Sequence, residues 1–448
     1  MHSANLTTAH IKTLLFSFIF IYSFQSGKAQ ENSPYSRYAM GDQVPAQNIT
    51  SRGMGGIAAA LAESRSLNLT NPAALGHIYY TVFDFGGEID IRNLRSNISP
   101  DKYTSVNTLV SYLQIGFPIA SQKMKLKGNN IGLSFGLKPL TRISYKINED
   151  KRVTNIDSVN TLYEGSGGIN QANISLGVKL KKLSLGFTTG YSFGNKDYST
   201  KLNFVNDSVI YYRSNSETQT RFGSVFLNLG MQYADTTSKK GIISFGVYGN
   251  LAQNMRARRE KLDATFIYDG NGSLVYIDTV NYKLDQAGRI KIPATIGAGF
   301  TYADSNYHWL VGADIEYSNW GKYSYYGQPD NTQNSWRIKL GAQYYPASSN
   351  TPSKKYWSFV TYRGGLYYGS DYVTLNDKKR PEYGLTAGAS FPLTSFQQLR
   401  YGNYVLLHTG LEVGRRGNKE SASVRENIAR FSIGLSMNAA WFQNRKYD

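Results

Sequence analysis

The chain has 448 residues, 43 glycines, 35 tyrosines, no cysteine and a formal charge of +18. A mean hydropathy of -0.39 is too polar for a bundle of membrane helices, and the absence of cysteine excludes disulfides, thiolate metal sites and a lipid-modified N-terminal cysteine. The basic charge is scattered through short segments rather than gathered on one helix or RNA-binding motif, so nucleic acid is not an expected partner.

Residues 1–29 read as a secretory signal. Lys12 supplies a positive charge, Leu14 to Phe24 an apolar stretch, and Gly27-Lys28-Ala29 a small-residue end, with cleavage expected after Ala29. The apolar stretch is well short of the ~20 residues that a spanning helix needs. Residues 30–81 are rich in Gly and Ala, with Asn and Pro as punctuation. They carry Ser51-Arg52-Gly53-Met54-Gly55-Gly56 and Asn71-Pro72-Ala73-Ala74-Leu75, and a short helix is expected over Ala58 to Glu63. Pro72 biases Asn71 toward an extended conformation and a turn. This zone lacks the pattern of membrane strands and is expected to form a plug inside a barrel.

From residue 82 onward the dominant pattern is alternation. Leu183, Leu185, Phe187, Thr189, Tyr191 and Phe193 share one face, and Ser184, Gly186, Thr188, Gly190, Ser192 and Gly194 the other. The same dyad divides 82–442 into fourteen candidate strands: 82–93, 106–119, 130–146, 161–181, 183–204, 216–234, 241–260, 286–303, 307–321, 335–346, 356–374, 382–393, 403–415 and 428–442. An apolar face alternating with a small, polar one suits lipid outside and a polar lumen inside. The expected fold is therefore an all-β, 14-stranded antiparallel transmembrane β-barrel over 82–448, with the N-terminal plug. An even strand count returns both ends to the periplasmic side. Short turns are expected near Lys123, Lys181-Lys182, 235–240 and 304–306. Longer extracellular connections are expected at 147–160, 205–215 and 261–285. The last of these contains Asp269-Gly270-Asn271-Gly272, a hairpin turn whose flanking strands are expected to rise beyond the membrane. The final strand alternates from Phe431 to Trp441 and closes on Phe442. It resembles a terminal barrel-assembly signal, apart from the basic tail Gln443 to Asp448.

No enzyme constellation is present. The five histidines (His2, His10, His77, His308, His408) show no metal-ligand spacing, and Gly53-Met54-Gly55-Gly56 lacks the strand and spacing of a dinucleotide loop. Asp314 with Glu316, and His408 with Glu412, read as solvated lumenal groups. No enzyme activity, cofactor or metal is expected.

Gly53-Met54-Gly55-Gly56, then Asn71-Pro72-Ala73-Ala74-Leu75, then the first strand resemble the FadL-type family of outer-membrane long-chain fatty acid and hydrocarbon channels, PorV-like members included. Ser33-Pro34-Tyr35-Ser36-Arg37-Tyr38 is similar to the start of such proteins in bacteria with type IX secretion. The resemblance implies the bacterial outer membrane, contact with its lipids, and passive uptake of hydrophobic small molecules. The alternative it implies is an accessory subunit, partnered with other outer-membrane proteins, of a BamA-type assembly or a type IX secretion complex. Met54, Ile57, Leu61, Asn71 and Pro72 are the candidate ligand-contacting residues of the plug, and they read equally as its own core. Pro139 lies inside an early strand, where proline interrupts a ladder. In this family an early-strand kink opens the wall sideways, and Pro139 marks its candidate position.

Overall fold

The computed structural model describes residues 33–95, 102–153, 157–205, 211–347, 355–375, 379–394, 403–417 and 424–439. The expected signal and the terminal Trp441-Phe442 lie outside the described residues. Within them the wall is a closed antiparallel barrel of 14 strands. In chain order these are β1 (Thr81–Arg95), β2 (Lys102–Pro118), β3 (Asn129–Val153), β4 (Asp157–Leu180), β5 (Leu183–Val205), β6 (Arg213–Thr236), β7 (Ile242–Asn250 and Gln253–Tyr268) and β8 (Leu274–Ile292 and Thr295–Ala303). They continue with β9 (Trp309–Ser318), β10 (Ser335–Tyr344), β11 (Thr361–Ser370), β12 (Pro381–Pro392), β13 (Val405–Arg416) and β14 (Arg425–Ala439). The seam closes where β14 pairs with β1, from Arg425↔Arg95 to Ala439↔Thr81. No helix of the described residues is long and apolar enough to cross a membrane.

Alternation fixes inside and outside, because a one-residue slip would turn every apolar side chain into the lumen. Leu185, Phe187, Tyr191 and Phe193 of β5 are exposed on the outer surface, while Ser184 and Ser192 are buried within. The wall is uneven in height. β3 to β6 run 23 to 25 residues, against 10 to 12 in β9 to β13. A tilted spanning strand needs ~9–11 residues, so the tall side overshoots the bilayer. Two of the segments expected as extracellular loops, 147–160 and 261–285, are largely ladder in their described residues: Asn148↔Leu162 and Asp150↔Asn160 continue β3–β4, and Asn281↔Asp263 continues β7–β8. Polar cross-strand bonds support this part, among them Asn160 Nδ2 to Asp150 Oδ1 at 2.6 Å and Ser216 Oγ to Asp263 Oδ1 at 2.6 Å. The hairpin turn forms at Asp269, whose N–H bonds the Ser273 carbonyl at 2.9 Å.

Residues 33–78 pack against inward-facing residues of this wall. Ala58 to Glu63 is not helical. Its backbone groups are taken by side chains from elsewhere, which removes the demand for helical hydrogen bonds. The Ala58 and Ala59 N–H groups donate to Asp314 Oδ2 at 2.6 and 2.8 Å, and Asn71 and Gln232 donate to the Ala59 carbonyl. Two of the three short helices of the segment have Asn caps. Asn48 accepts from Ser51 N ahead of Ile49–Arg52, and Asn71 accepts from Ala73 N ahead of Pro72–His77.

Candidate functional site

The candidate site is the lumen, where the N-terminal segment meets the wall through two kinds of contact. One is a belt of inward-facing glycines in register around the wall. Gly132↔Gly177↔Gly186↔Gly230 joins β3 to β6, and Gly312↔Gly341↔Gly365 joins β9 to β11. The segment lies directly on this belt. A Cβ on Gly132 would stand 2.1 Å from the Leu75 carbonyl oxygen, one on Gly186 2.4 Å from the Pro72 carbonyl carbon, and one on Gly365 2.2 Å from the Gly55 nitrogen. No side chain fits there without displacing backbone.

The second contact is ionic and sits at the closing seam. Asp42 of the segment lies between Arg92 of β1 at 2.5 Å and Arg416 of β13 at 3.0 Å. Arg416 also pairs with Glu426 of β14 at 2.5 Å, and Arg92 with Asp90 at 2.8 Å. Arg52 of the segment pairs with Glu88 of β1. Arg430 reaches Glu412 at 2.7 Å and Asp90 at 3.3 Å. Arg380 pairs with Asp371 at 2.6 Å and lies 3.4 Å from the centre of the Tyr35 ring. Burial opposes ionisation of Asp42, yet Arg92 and Arg416 more than offset it and hold the carboxyl well below the usual carboxylate range. Charges this deep persist only when paired.

Between belt and seam remains a cavity of about 220 Å³ with a mixed lining, in which Arg52, Arg92, Lys138, Glu316, Lys339 and Glu412 stand beside Val44, Leu140, Ile169, Ile292 and Trp320. Lys138 is buried and donates to the Leu69 carbonyl at 3.0 Å. Met54, Ile57 and Leu61 do not line this cavity. They are at most 2% exposed and pack together against Leu310. Asn71 and Pro72 lie on the belt, with Asn71 Oδ1 2.0 Å from where a Gly230 Cβ would be. The four groups expected to be solvated are buried or paired. Asp314 binds the segment's backbone, Glu316 pairs with Lys339 at 2.9 Å, and Glu412 with Arg430. His408 is held between Ser390 Oγ at 2.6 Å and Ser436 Oγ at 2.9 Å, rather than by Glu412. His77 accompanies the segment beside Ser184, and burial together with Lys179 pushes its pKa down to about 4.

Pro139 stands at a register shift in the β3–β4 ladder, between Pro139 and Thr141. The β2–β3 ladder stops just below it, at Leu113↔Leu137. Above that point β2 pairs only with β1, and β3 with β4. The edge of β3 so released is taken from inside by the N-terminal segment. Asp42↔Arg142 and Gln43↔Thr141 pair antiparallel, Val44 N donates to Leu140 O at 2.9 Å, and Ser33 N to Ser144 O at 3.2 Å. Pro293 similarly falls at the break in β8. The belt and the Asp42 clamp were missed by sequence reasoning. The small residues alternating with apolar ones were visible as the polar face, but not as a seat. Asp42 has no local motif at all, since its partners lie 50 and 374 residues away.

The closed 14-strand wall is the fold of the solved FadL-type barrels. The CymD monoaromatic hydrocarbon channel superposes with a TM-score of 0.53 at 14% identity, covering 90% of this chain and 100% of that one. A TodX monoaromatic hydrocarbon channel mutant gives 0.57 at 14% identity (88% and 99%), and a Pseudomonas aeruginosa FadL homologue 0.52 at 12% (89% and 99%). No curated protein sequence matches the chain. The BamG family model matches residues 10–448, and the chain belongs to the BamG family.

Proposed function

We propose that this chain is an outer-membrane barrel, exported by a leader over residues 1–29 and closed by residues 30–81 as a plug. We further propose that it serves as an accessory subunit of an outer-membrane protein-assembly complex built around a BamA-type barrel. The observation that carries this reading is the lumen. An uptake route for greasy molecules needs a continuous apolar lining. Here the free space is small and its apolar lining is interrupted by the charges of Arg52, Arg92, Glu316, Lys339 and Glu412, while Met54, Ile57 and Leu61 pack on one another and Asn71 and Pro72 sit against the glycine belt. Membership of the BamG family supports the same reading.

The outer surface supplies a docking element for such a role. On the tall side, Leu274–Arg289 of β8 pairs with β7 along one edge, while its other edge is met near its base by Tyr326, which donates to the Arg289 and Gln286 carbonyls. Val275, Tyr276, Ile277, Val280, Tyr282 and Leu284 on it are 42 to 72% exposed. A long, exposed apolar edge strand is a template for pairing with another chain. Gentle purification of a tagged chain from native membranes tests the reading. Stoichiometric recovery with a BamA-type barrel is the expected result. A lone barrel carrying co-purified lipid would overturn it, and recovery with a secretion pore would move the subunit to a different machine.

One observation favours a second reading, passive uptake of hydrophobic small molecules. The β2–β3 ladder ends beside Pro139, which would mark a sideways exit into the bilayer. A deletion strain that loses uptake of such compounds yet keeps its surface proteins correctly assembled would support the channel over the subunit.

A further inference from the structure

Three neighbouring tall strands change character at one level on the outer face. β6 presents Met231, Leu229 and Val225 and then Arg221. β7 presents Phe245, Val247 and Leu251 and then Arg256 and Arg258. β8 presents Phe300 and Ile296 and then Lys291 and Arg289. All of these are exposed. The climb from Tyr233 to Arg221 is roughly 30 Å at ~3.3 Å per residue and a tilt of ~40°, slightly more than the ~25 Å apolar band of such barrels. The basic side chains therefore stand at the level of the outer headgroups.

Their register is unusual. Arg221 is paired directly with Arg258, and Arg256 with Arg289. Like charges opposite one another destabilise a sheet. Asp285 pairs with Arg258, and Glu260 lies one step further up the same face. Arg221, Arg256, Arg289 and Lys291 have no acidic partner among the described residues. Guanidinium forks match phosphate oxygens in pairs. A site with cations above and an apolar surface directly below fits a molecule with phosphates above and acyl chains below.

We infer that Arg221, Arg256, Arg258, Arg289 and Lys291 form a binding site for the phosphate groups of an outer-leaflet lipid. The inference rests on the outer-membrane reading. The test uses the full chain purified in neutral detergent and titrated with diphosphorylated lipid A or its dephosphorylated form. Retention of the folded barrel is checked by heat-modifiable gel mobility. The diphosphorylated lipid is expected to bind at least ~10-fold tighter. The triple change R221Q/R256Q/R289Q is expected to abolish that preference, while K123Q/K125Q/K127Q, at the opposite end of the barrel, leaves it intact. Equal binding of the two lipids, or equal loss in both variants, overturns the site. Full displacement by millimolar inorganic phosphate overturns the lipid assignment in favour of a free anion. Should the triple variant not fold, the unaltered chain decides: the preference must collapse with added salt, and a salt-independent preference overturns the site. Recovery of the chain outside the outer-membrane fraction would defeat the underlying reading instead, leaving the lipid titration a separate result.

Discussion

The belt and the seam hold the same segment by opposite means. Along β3 to β6 and β9 to β11, contact depends on what the wall lacks: most belt glycines leave room for backbone of the segment, and Gly230 and Gly312 for the side chains of Asn71 and Ile57. At β13, β14 and β1, contact depends on what the wall adds, in Arg92, Arg416 and Glu426 around Asp42. The belt fixes how closely the segment sits and tolerates no growth. The seam fixes which residue sits where. Its buried charges are costly to strand, although whole pairs can be exchanged for apolar groups at little loss.

Breaking the belt is expected to have the greatest effect. Gly186→Leu drives a branched side chain into the backbone at Pro72, which cannot retreat while the neighbouring glycine positions also hold it. The segment is expected to leave its seat and become cleavable by added trypsin in intact outer-membrane preparations, with the wall still folded by gel mobility. Asp42→Ala comes next. It strands Arg92 and Arg416 and is expected to cost about 3–5 kcal/mol in denaturant unfolding from detergent. Removing Asp42 together with both arginines, in favour of apolar residues, is expected to recover much of that loss.

An adjacent pair of glycines sharpens the distinction further. Gly365 faces the segment, and a Cβ there would meet the Gly55 nitrogen at 2.2 Å, whereas a Cβ on Gly364 meets nothing within 4 Å. Gly365→Ala is expected to destabilise by about 1–3 kcal/mol, and Gly364→Ala to stay within ~0.5 kcal/mol, each read as a shift in the unfolding midpoint. The smallest effect is expected from pH. His77 is buried in its neutral form, with a folded pKa of about 4 against an ordinary 6.5. The unfolded chain binds the proton first, so stability is fully present above pH 6.5 and declines as pH falls toward 4. A His77→Gln variant is expected to lose this part of the pH slope.

The wall was readable in the sequence because its cause is local. Phe187 and Gly186 need only their place in a dyad to declare outside and inside. The strand count and the short turns followed from the same period. The tall upper ladders were not readable, since Asn160 and Asp150 are polar on both faces and resemble loop until their cross-strand partners are known. The segment's path was hidden for a different reason. Ala58 to Glu63 has helix-forming composition, but Asp314, some 250 residues on, takes its amides. Met54 and Ile57 could be recognised as apolar, but whether they faced one another or a ligand depends on tertiary placement. Pro139 announced an interruption without revealing that Gln43 would pair beside it.

The occupied lumen underlies everything above, and one measurement reaches it directly. The chain has no cysteine of its own, so Gln43→Cys with Thr141→Cys places a single thiol pair across the register that joins the segment to β3. Mild oxidation in native membranes is expected to yield one intramolecular disulfide, absent when Gln43→Cys is combined with the outward-facing Gly364→Cys. Two free thiols at 43 and 141 in a folded barrel, both open to a water-soluble labelling reagent, would mean that the segment lies elsewhere.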